Sequence, residues 1–229
     1  MAPERRAGLP SAGARRARSP AGAGSPGPPH GPLPPEDFAG RSLPLETRAA
    51  GSSLFRIHVA EREAVWFGPG RGNDPRSRFD DPACPACEFG VCYVAVTPEG
   101  AFAESFLREV PARVASRAFL DRHRITRLRT TRPLRLASGH GAGLARLGAT
   151  AVIASGDHDL ARRWARAIWA HQDAVDGLIY HCRHDDDELA IALFDRARDT
   201  LAGEQCRGLR DDRKWLGGVL ERYRLALVD

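Results

Sequence analysis

The period of the hydrophobic positions changes several times along the chain, and each change marks an element. Leu54 to Val59 reads as a strand, and Phe89 to Val96 as a buried one, because Val91, Tyr93, Val94 and Val96 are good strand formers and Thr97-Pro98 stops the ladder. With Thr97 as N-cap and Pro98 in the first helical position, the period then becomes 3.6. Phe102, Ala103, Phe106, Leu107 and Val110 share one face, predicting a helix through about Val110 with Glu104 off the centre of that face. Ile125 to Leu136 reads as one or two strands broken by Pro133, and Gly141 to Gly148 as a short helix. A stronger helix spans Asp159 to His171, with Leu160, Trp164, Ala167 and Ile168 in register and Asp157 as cap. Leu178 to Tyr180 and Leu189 to Phe194 read as strands joined by a polar turn from His184 to Glu188, and Asp212 to Leu227 as a final helix. Strands and helices alternate without a regular βαβ beat and without an internal repeat, so the fold class is α+β, a compact mixed sheet with flanking helices.

Composition divides the 229 residues in two. Residues 1–50 are crowded with Pro, Gly, Ala, Ser and Arg and show no apolar period, which predicts a disordered N-terminal tail; residues 51–229 form the folded domain. The sequence pI of 9.3 points to polyanions until the charge is located. Seven arginines against Glu4, Glu36, Asp37 and Glu46 give the tail a net +3, leaving the domain +2 of the total +5. A domain so near balance does not advertise a polyanion groove. Lys214 is the single lysine, so arginine is abundant here and one arginine alone means little. No stretch approaches the roughly 18 to 20 apolar residues of a membrane span, and no apolar segment follows Arg5-Arg6 as a secretory signal requires. A cytoplasmic protein whose five cysteines stay as thiols is the expectation.

Candidate chemistry lies in words spaced far apart. They are Phe55-Arg56, Arg78-Phe79, Tyr93 in its strand, Ala103-Glu104, and Tyr180-x-Cys182-Arg183 ahead of Ala192-Leu193-Phe194. Two arginines suit the phosphates of a dinucleotide, since a planar guanidinium grips phosphate in a bidentate way that lysine does not reproduce. A carboxylate suits a ribose that becomes cationic as its base departs. Taken singly, each has an ordinary counterpart: a surface arginine, a core tyrosine, a helix glutamate paired with Arg108 four residues on.

In this order the words resemble the RES domain family across essentially all of residues 50–200. The resemblance implies a compact fold related to ADP-ribosyltransferases, NAD+ as a consumed substrate, and release of nicotinamide by phosphorolysis or hydrolysis. Inorganic phosphate is then a possible co-substrate, and no metal or bound cofactor is required. Many members are toxins held by a helix-turn-helix antitoxin. Arg56 and Arg78 would hold phosphate, Tyr93 would shape the nicotinamide side, Glu104 would stabilise the ribosyl cation, and Cys182 stands where the family word Tyr-x-Ser-Arg has serine. A thiol is a larger and weaker hydrogen-bond donor than a hydroxyl, so a catalytically silent NAD-binding or partner-binding module is the alternative.

Two further constellations carry weaker signals. Cys84-Pro85-Ala86-Cys87 has no second metal-ligand pair and reads first as loop decoration, with zinc or redox chemistry behind it. His181, Cys182, His184 and Asp185 admit a thiol- or zinc-dependent hydrolase, although strand neighbours point to opposite faces and His181 cannot readily reach Cys182. Gly68-Pro69-Gly70-Arg71-Gly72 lies in an irregular region and lacks the following helix of a dinucleotide-binding Rossmann turn. His158 and His171 fall at helix ends.

Overall fold

The computed structural model describes residues 31–107 and 114–228. Its elements run β1 (Leu45–Arg48), β2 (Ser53–Val59), β3 (Val91–Ala95), α1 (Pro98–Phe106), β4 (Val114–Ser116), α2 (Arg117–Arg122), β5 (His123–Thr130), β6 (Leu134–Ser138), α3 (Gly141–Leu147), α4 (Val152–Ser155), α5 (His158–Trp169), β7 (Gly177–Cys182), β8 (Asp185–Phe194), β9 (Leu201–Gly208), α6 (Arg213–Arg222) and β10 (Ala226–Val228). Eight strands form one mixed sheet in the order β1-β6-β7-β8-β3-β2-β5-β9, while β10 pairs in parallel with β4. The α+β class read from the periodicity is the class observed.

Alternation along the central strands sorts the core. Val91, Tyr93, Ala190, Ala192, Phe194, Leu178 and Tyr180 face a cluster with Trp164, Leu160 and Ile168 of α5. Cys92, Val94, Ile191, Leu193 and Ile179 face the opposite cluster with Leu134 and Leu136. A third cluster packs Phe102 and Phe106 of α1 against Ile57, Ile125, Leu216 and Val219. The predicted caps are present: Thr97 Oγ1 accepts from Gly100 N at 2.9 Å, and Asp157 accepts from Asp159 N at 3.0 Å. Gly148, with φ at 82°, closes α3 in the left-handed conformation that glycine adopts without steric cost.

The boundary drawn at residue 50 falls inside the folded unit. Phe38 is buried edge-on against Trp164, with ring centroids 5.4 Å apart, Trp164 Nε1 donates to Pro32 O at 2.9 Å, and β1 extends the sheet by pairing with β6. Few apolar residues do this work, and a compositional reading misses them because each is buried by α5 rather than by its own segment. Residues 1–30 of the expected tail lie outside the described residues, as does Val110 at the expected end of α1.

Three other expectations change. The last helix stops at Arg222; Arg224, with φ at 50°, turns the chain into β10. The turn between β7 and β8 is tighter than expected, because Asp185 to Glu188 already belong to β8. β9 was not foreseen: its residues are largely exposed and polar, and it is held by backbone pairing to β5 at the edge of the sheet, which requires no apolar face. No helix among the described residues is long and apolar enough to cross a membrane.

Candidate active site

β2 pairs with β5 along its whole length, and β3 with β8 likewise, but β2 and β3 meet at Phe55↔Ala95 and then part. A cleft of about 620 Å³ opens in this fork, lined from both strands and closed by α1, the loop from Arg62 to Asp80, and the turn after β7. Its lining runs from Tyr180 on β7 to His123 on β5. That crosses from β7 over β8, β3 and β2 to β5. The fork has a sequence-level cause only in part: Phe67 to Pro69 form an isolated bridge to Val91 at Gly68 that occupies the β3 edge where β2 would otherwise continue.

Four of the five residues singled out by sequence line this cleft: Arg56, Arg78, Tyr93 and Glu104. Arg56 spans the fork, donating from Nη1 to Ala64 O (3.1 Å), Trp66 O (2.9 Å) and Cys92 Sγ (2.6 Å). Arg78 is pinned by Nη1 to Gly156 O at 2.6 Å. Burial lowers its pKa, as does the neighbouring Arg183, while Tyr180, Glu104 and Tyr93 oppose the shift. Glu104 and Arg78 are thus close enough to feel each other's charge. Tyr93 carries its hydroxyl between Phe79 N, which donates to it at 2.9 Å, and Asp80 Oδ1, to which it donates at 3.0 Å. Burial and Asp80 hold that phenol well above its ordinary value, so it stays protonated.

Cys182, the fifth, is fully buried behind the carboxylate. Its Sγ donates to Gly100 O at 3.8 Å, and burial first, then Glu104, push the thiol far upward. A thiol so raised is no nucleophile at neutral pH. Iodoacetamide at about pH 8 is therefore expected to alkylate exposed Cys206 and to leave Cys182 unmodified, read by peptide mass spectrometry. Rapid labelling of Cys182 with loss of activity would support the thiol-hydrolase alternative instead.

Sequence reasoning passed over several members of the site. Tyr180 OH donates to Glu104 Oε2 at 3.4 Å and is itself held protonated by burial and by Glu104. Asp80 is buried and organises the loop that carries Arg78: its Oδ2 accepts from Arg76 N (2.9 Å) and Ser77 N (2.6 Å). Arg183, His158 and His184 join Arg78 at one end of the cleft. Tyr180 and Arg183 sat in a quoted motif and Asp80 directly after another, which was the available signal. His158, taken as a helix-end residue, is that and also a cleft wall, because α5 begins at the rim.

The cysteine expectation is corrected at one pair. Cys84 and Cys87 are joined by a disulfide in the loop before β3, while Cys92, Cys182 and Cys206 are free thiols. The loop folds the two together because Asp81 Oδ1 accepts from Ala83 N at 2.9 Å and its Oδ2 from Glu88 N at 2.6 Å, bracketing the four-residue motif. Among the described residues no three His, Cys, Asp or Glu side chains are arranged to hold a metal ion.

Three cleft histidines give a pH dependence. Burial lowers the pKa of His58, His158 and His184 from 6.5, aided by Arg56 for the first, Arg78 for the second and Arg183 for the third. An unfolded histidine takes up its proton near 6.5 and these do so only at lower pH, so in that window the unfolded state binds more protons. Stability is accordingly expected to fall as pH is lowered through about 6.5, a lower thermal midpoint at pH 5.5 than at pH 7.5 being the readout. His58→Gln should flatten that profile.

An α+β domain whose sheet forks around an arginine- and carboxylate-lined cleft is the class defined by this geometry. The RES domain model matches residues 53–214, and the chain belongs to that family. It is similar to "Probable toxin y4kH" of Sinorhizobium fredii, 34% identical over 97 residues that cover 42% of this chain and 76% of that protein. The crystal structure of the M. tuberculosis MbcT–MbcA toxin–antitoxin complex contains a chain of the same fold, with a TM-score of 0.54 at 15% identity, covering 78% of this chain and 91% of that one.

Proposed function

We propose that this protein degrades NAD+, cleaving the bond between nicotinamide and ribose and passing the ADP-ribosyl group to phosphate or water. The observation that carries the reading is the convergence of Arg56, Arg78, Tyr93 and Glu104 on one cleft, with Glu104 within electrostatic range of Arg78 and in reach of Tyr180. A cleft of about 620 Å³ has room for a dinucleotide. NAD+ would be a substrate and not a resident cofactor.

In this reading the guanidiniums of Arg78 and Arg183 neutralise the pyrophosphate or the incoming phosphate, and Arg56 holds the dinucleotide at the fork. The C1′–N bond breaks as nicotinamide takes the electron pair and leaves neutral. Positive charge develops on C1′ and the ring oxygen, where the Glu104 carboxylate stabilises it more than it stabilises the ground state. A phosphate oxygen, or water giving up a proton, then forms the new bond to C1′. Burial of Tyr93 and Tyr180 keeps both phenols as donors throughout. Cys182 sits beneath Glu104 and packs it without reacting.

The relatives extend the reading to biology: a toxin whose NAD+ consumption is restrained by an antitoxin, the relative in Sinorhizobium being named a probable toxin and the structural neighbour coming from a toxin–antitoxin complex. The test is chromatography of NAD+ incubated with the purified protein, with and without phosphate. Nicotinamide together with ADP-ribose 1″-phosphate identifies phosphorolysis, and nicotinamide with ADP-ribose identifies hydrolysis. Calorimetric binding of NAD+ without turnover would select the silent binding module, and neither binding nor turnover would end the NAD+ reading.

A further inference from the structure

The C-terminal segment grips the first two turns of α1, the helix that carries Glu104. Three separate contacts do so. Trp215 Nε1 of α6 donates to Glu99 Oε1 at 3.0 Å. Phe102 lies parallel to Tyr223, with ring centroids 6.1 Å apart, and edge-on to Trp215 at 6.2 Å. The third is a chain of polar side chains. Arg222 donates from Nη1 to Glu188 Oε1 (2.9 Å) and from Nη2 to Asp185 Oδ2 (2.8 Å), where Tyr223 OH also donates at 2.7 Å. Glu188, itself buried, accepts through Oε2 from the hydroxyl of Thr97, the α1 cap. That same hydroxyl accepts from Gly100 N, and Gly100 O takes the thiol of Cys182 that packs under Glu104.

We infer that the segment from Trp215 to Val228 is a clamp that aims the carboxylate of Glu104, with Glu188 and Arg222 as positioning residues that never touch substrate. The inference rests on the proposed role of Glu104. Arg222, Tyr223 and β10 lie beyond residue 214, where the region matched by the family model ends.

Helix length supplies the leverage. Glu104 is seven residues from Thr97, about 10 Å along the axis at 1.5 Å per residue. Released at the cap, a short helix can tilt or slide, and a misplacement of that carboxylate by about 1 Å can lower a rate by about a hundredfold. Fixing the cap by a buried carboxylate is effective because a charged acceptor holds a hydroxyl more tightly and at a more defined position than a neutral one. Arg222 in turn holds Glu188 in place. Its planar fork spans Asp185 and Glu188 together, which a lysine cannot do. Ala226 to Val228, paired with Val114 to Ser116 beyond α1, tether the far end of the segment.

The experiment compares the full chain with its Arg222→Met, Arg222→Lys and Glu188→Gln variants. Two readouts are taken: kcat and KM for nicotinamide release from NAD+, and peptide-resolved amide exchange. For Arg222→Met, kcat is expected to fall 10- to 100-fold with KM within about twofold. Arg222→Lys should fall between it and the native protein, and exchange should rise in the peptide holding Gly100 to Glu104 while the β7 and β8 peptides stay protected. Native kcat with native α1 exchange in all three variants overturns the clamp. So does loss of protection throughout the domain with kcat falling in proportion to the folded fraction, because that describes ordinary stability. If the native protein releases no nicotinamide, the NAD+ reading fails while the exchange data still decide whether the C-terminal segment holds α1.

Discussion

Glu104→Gln is expected to lower NAD+ turnover by about 10²- to 10³-fold while leaving affinity for the dinucleotide nearly unchanged. The substitution keeps the size of the side chain and an oxygen for the Tyr180 hydroxyl to donate to, so Tyr180, Cys182 and α1 have no reason to move. What disappears is the negative charge. In the proposed ground state that charge is already offset by Arg78 and changes binding little. In the proposed transition state it faces a ribosyl cation beside the buried Tyr180, where an electrostatic contact is worth more than in solvent. The expected loss corresponds to about 2.7 to 4.1 kcal/mol of transition-state stabilisation. Single-turnover rates with saturating NAD+, beside calorimetric affinities, separate the two effects. A variant that loses less than about threefold in rate would remove Glu104 from the chemistry.

Asp80→Ala should be the most damaging change outside the reacting centre, lowering stability by about 2 to 4 kcal/mol. The Asp80 carboxylate is 3% exposed and answers three donors: the backbone amides of Arg76 and Ser77 and the hydroxyl of Tyr93. Alanine leaves all three facing a space where they have lost their acceptor, and removes the partner that ties the Tyr93 hydroxyl, on β3, to the loop. Because Arg78 rides on the same loop, affinity for NAD+ should fall too. Asp80→Asn retains one acceptor oxygen and should cost about half as much. Denaturant midpoints with unchanged m-values, together with KM for NAD+, check both variants. A shift below about 0.5 kcal/mol would mean the loop is organised by Asp81 and Arg166 instead.

Most regular elements were legible because their signals are local. Thr97-Pro98 fixes the start of α1 whatever surrounds it, Gly148 ends α3 by its own backbone freedom, and the period of Leu160, Trp164 and Ile168 puts one face of α5 in the core. What failed was less local. β9 lacks strand formers and exists because β5 offers it a backbone edge, and residues 31–50 fold because α5 provides a pocket for Phe38. The Cys84–Cys87 disulfide depends on Asp81 bending the chain between them, which no count of cysteines reveals.

The candidate site was legible as residue types and not as an arrangement. Arg56, Arg78, Tyr93 and Glu104 were identified by words in order, yet the words carry no information on how β2 separates from β3 to give them a common space. Nor did they reveal Asp80, Tyr180 and Arg183 as neighbours, or that Cys182 lies behind the carboxylate rather than beside the cleft.

By itself the sequence determined the period of each main helix and strand, the caps that start α1 and α5, the α+β class and the types of side chain available for chemistry, since these depend on residues within a few positions of one another. Tertiary structure alone decided where the sheet forks, which charges share a low-dielectric space, and that the last helix holds the first. Those properties depend on groups such as Arg222, Glu188 and Thr97, which are close in space and distant along the chain, and the strength of an electrostatic contact follows spatial distance and burial, not sequence separation.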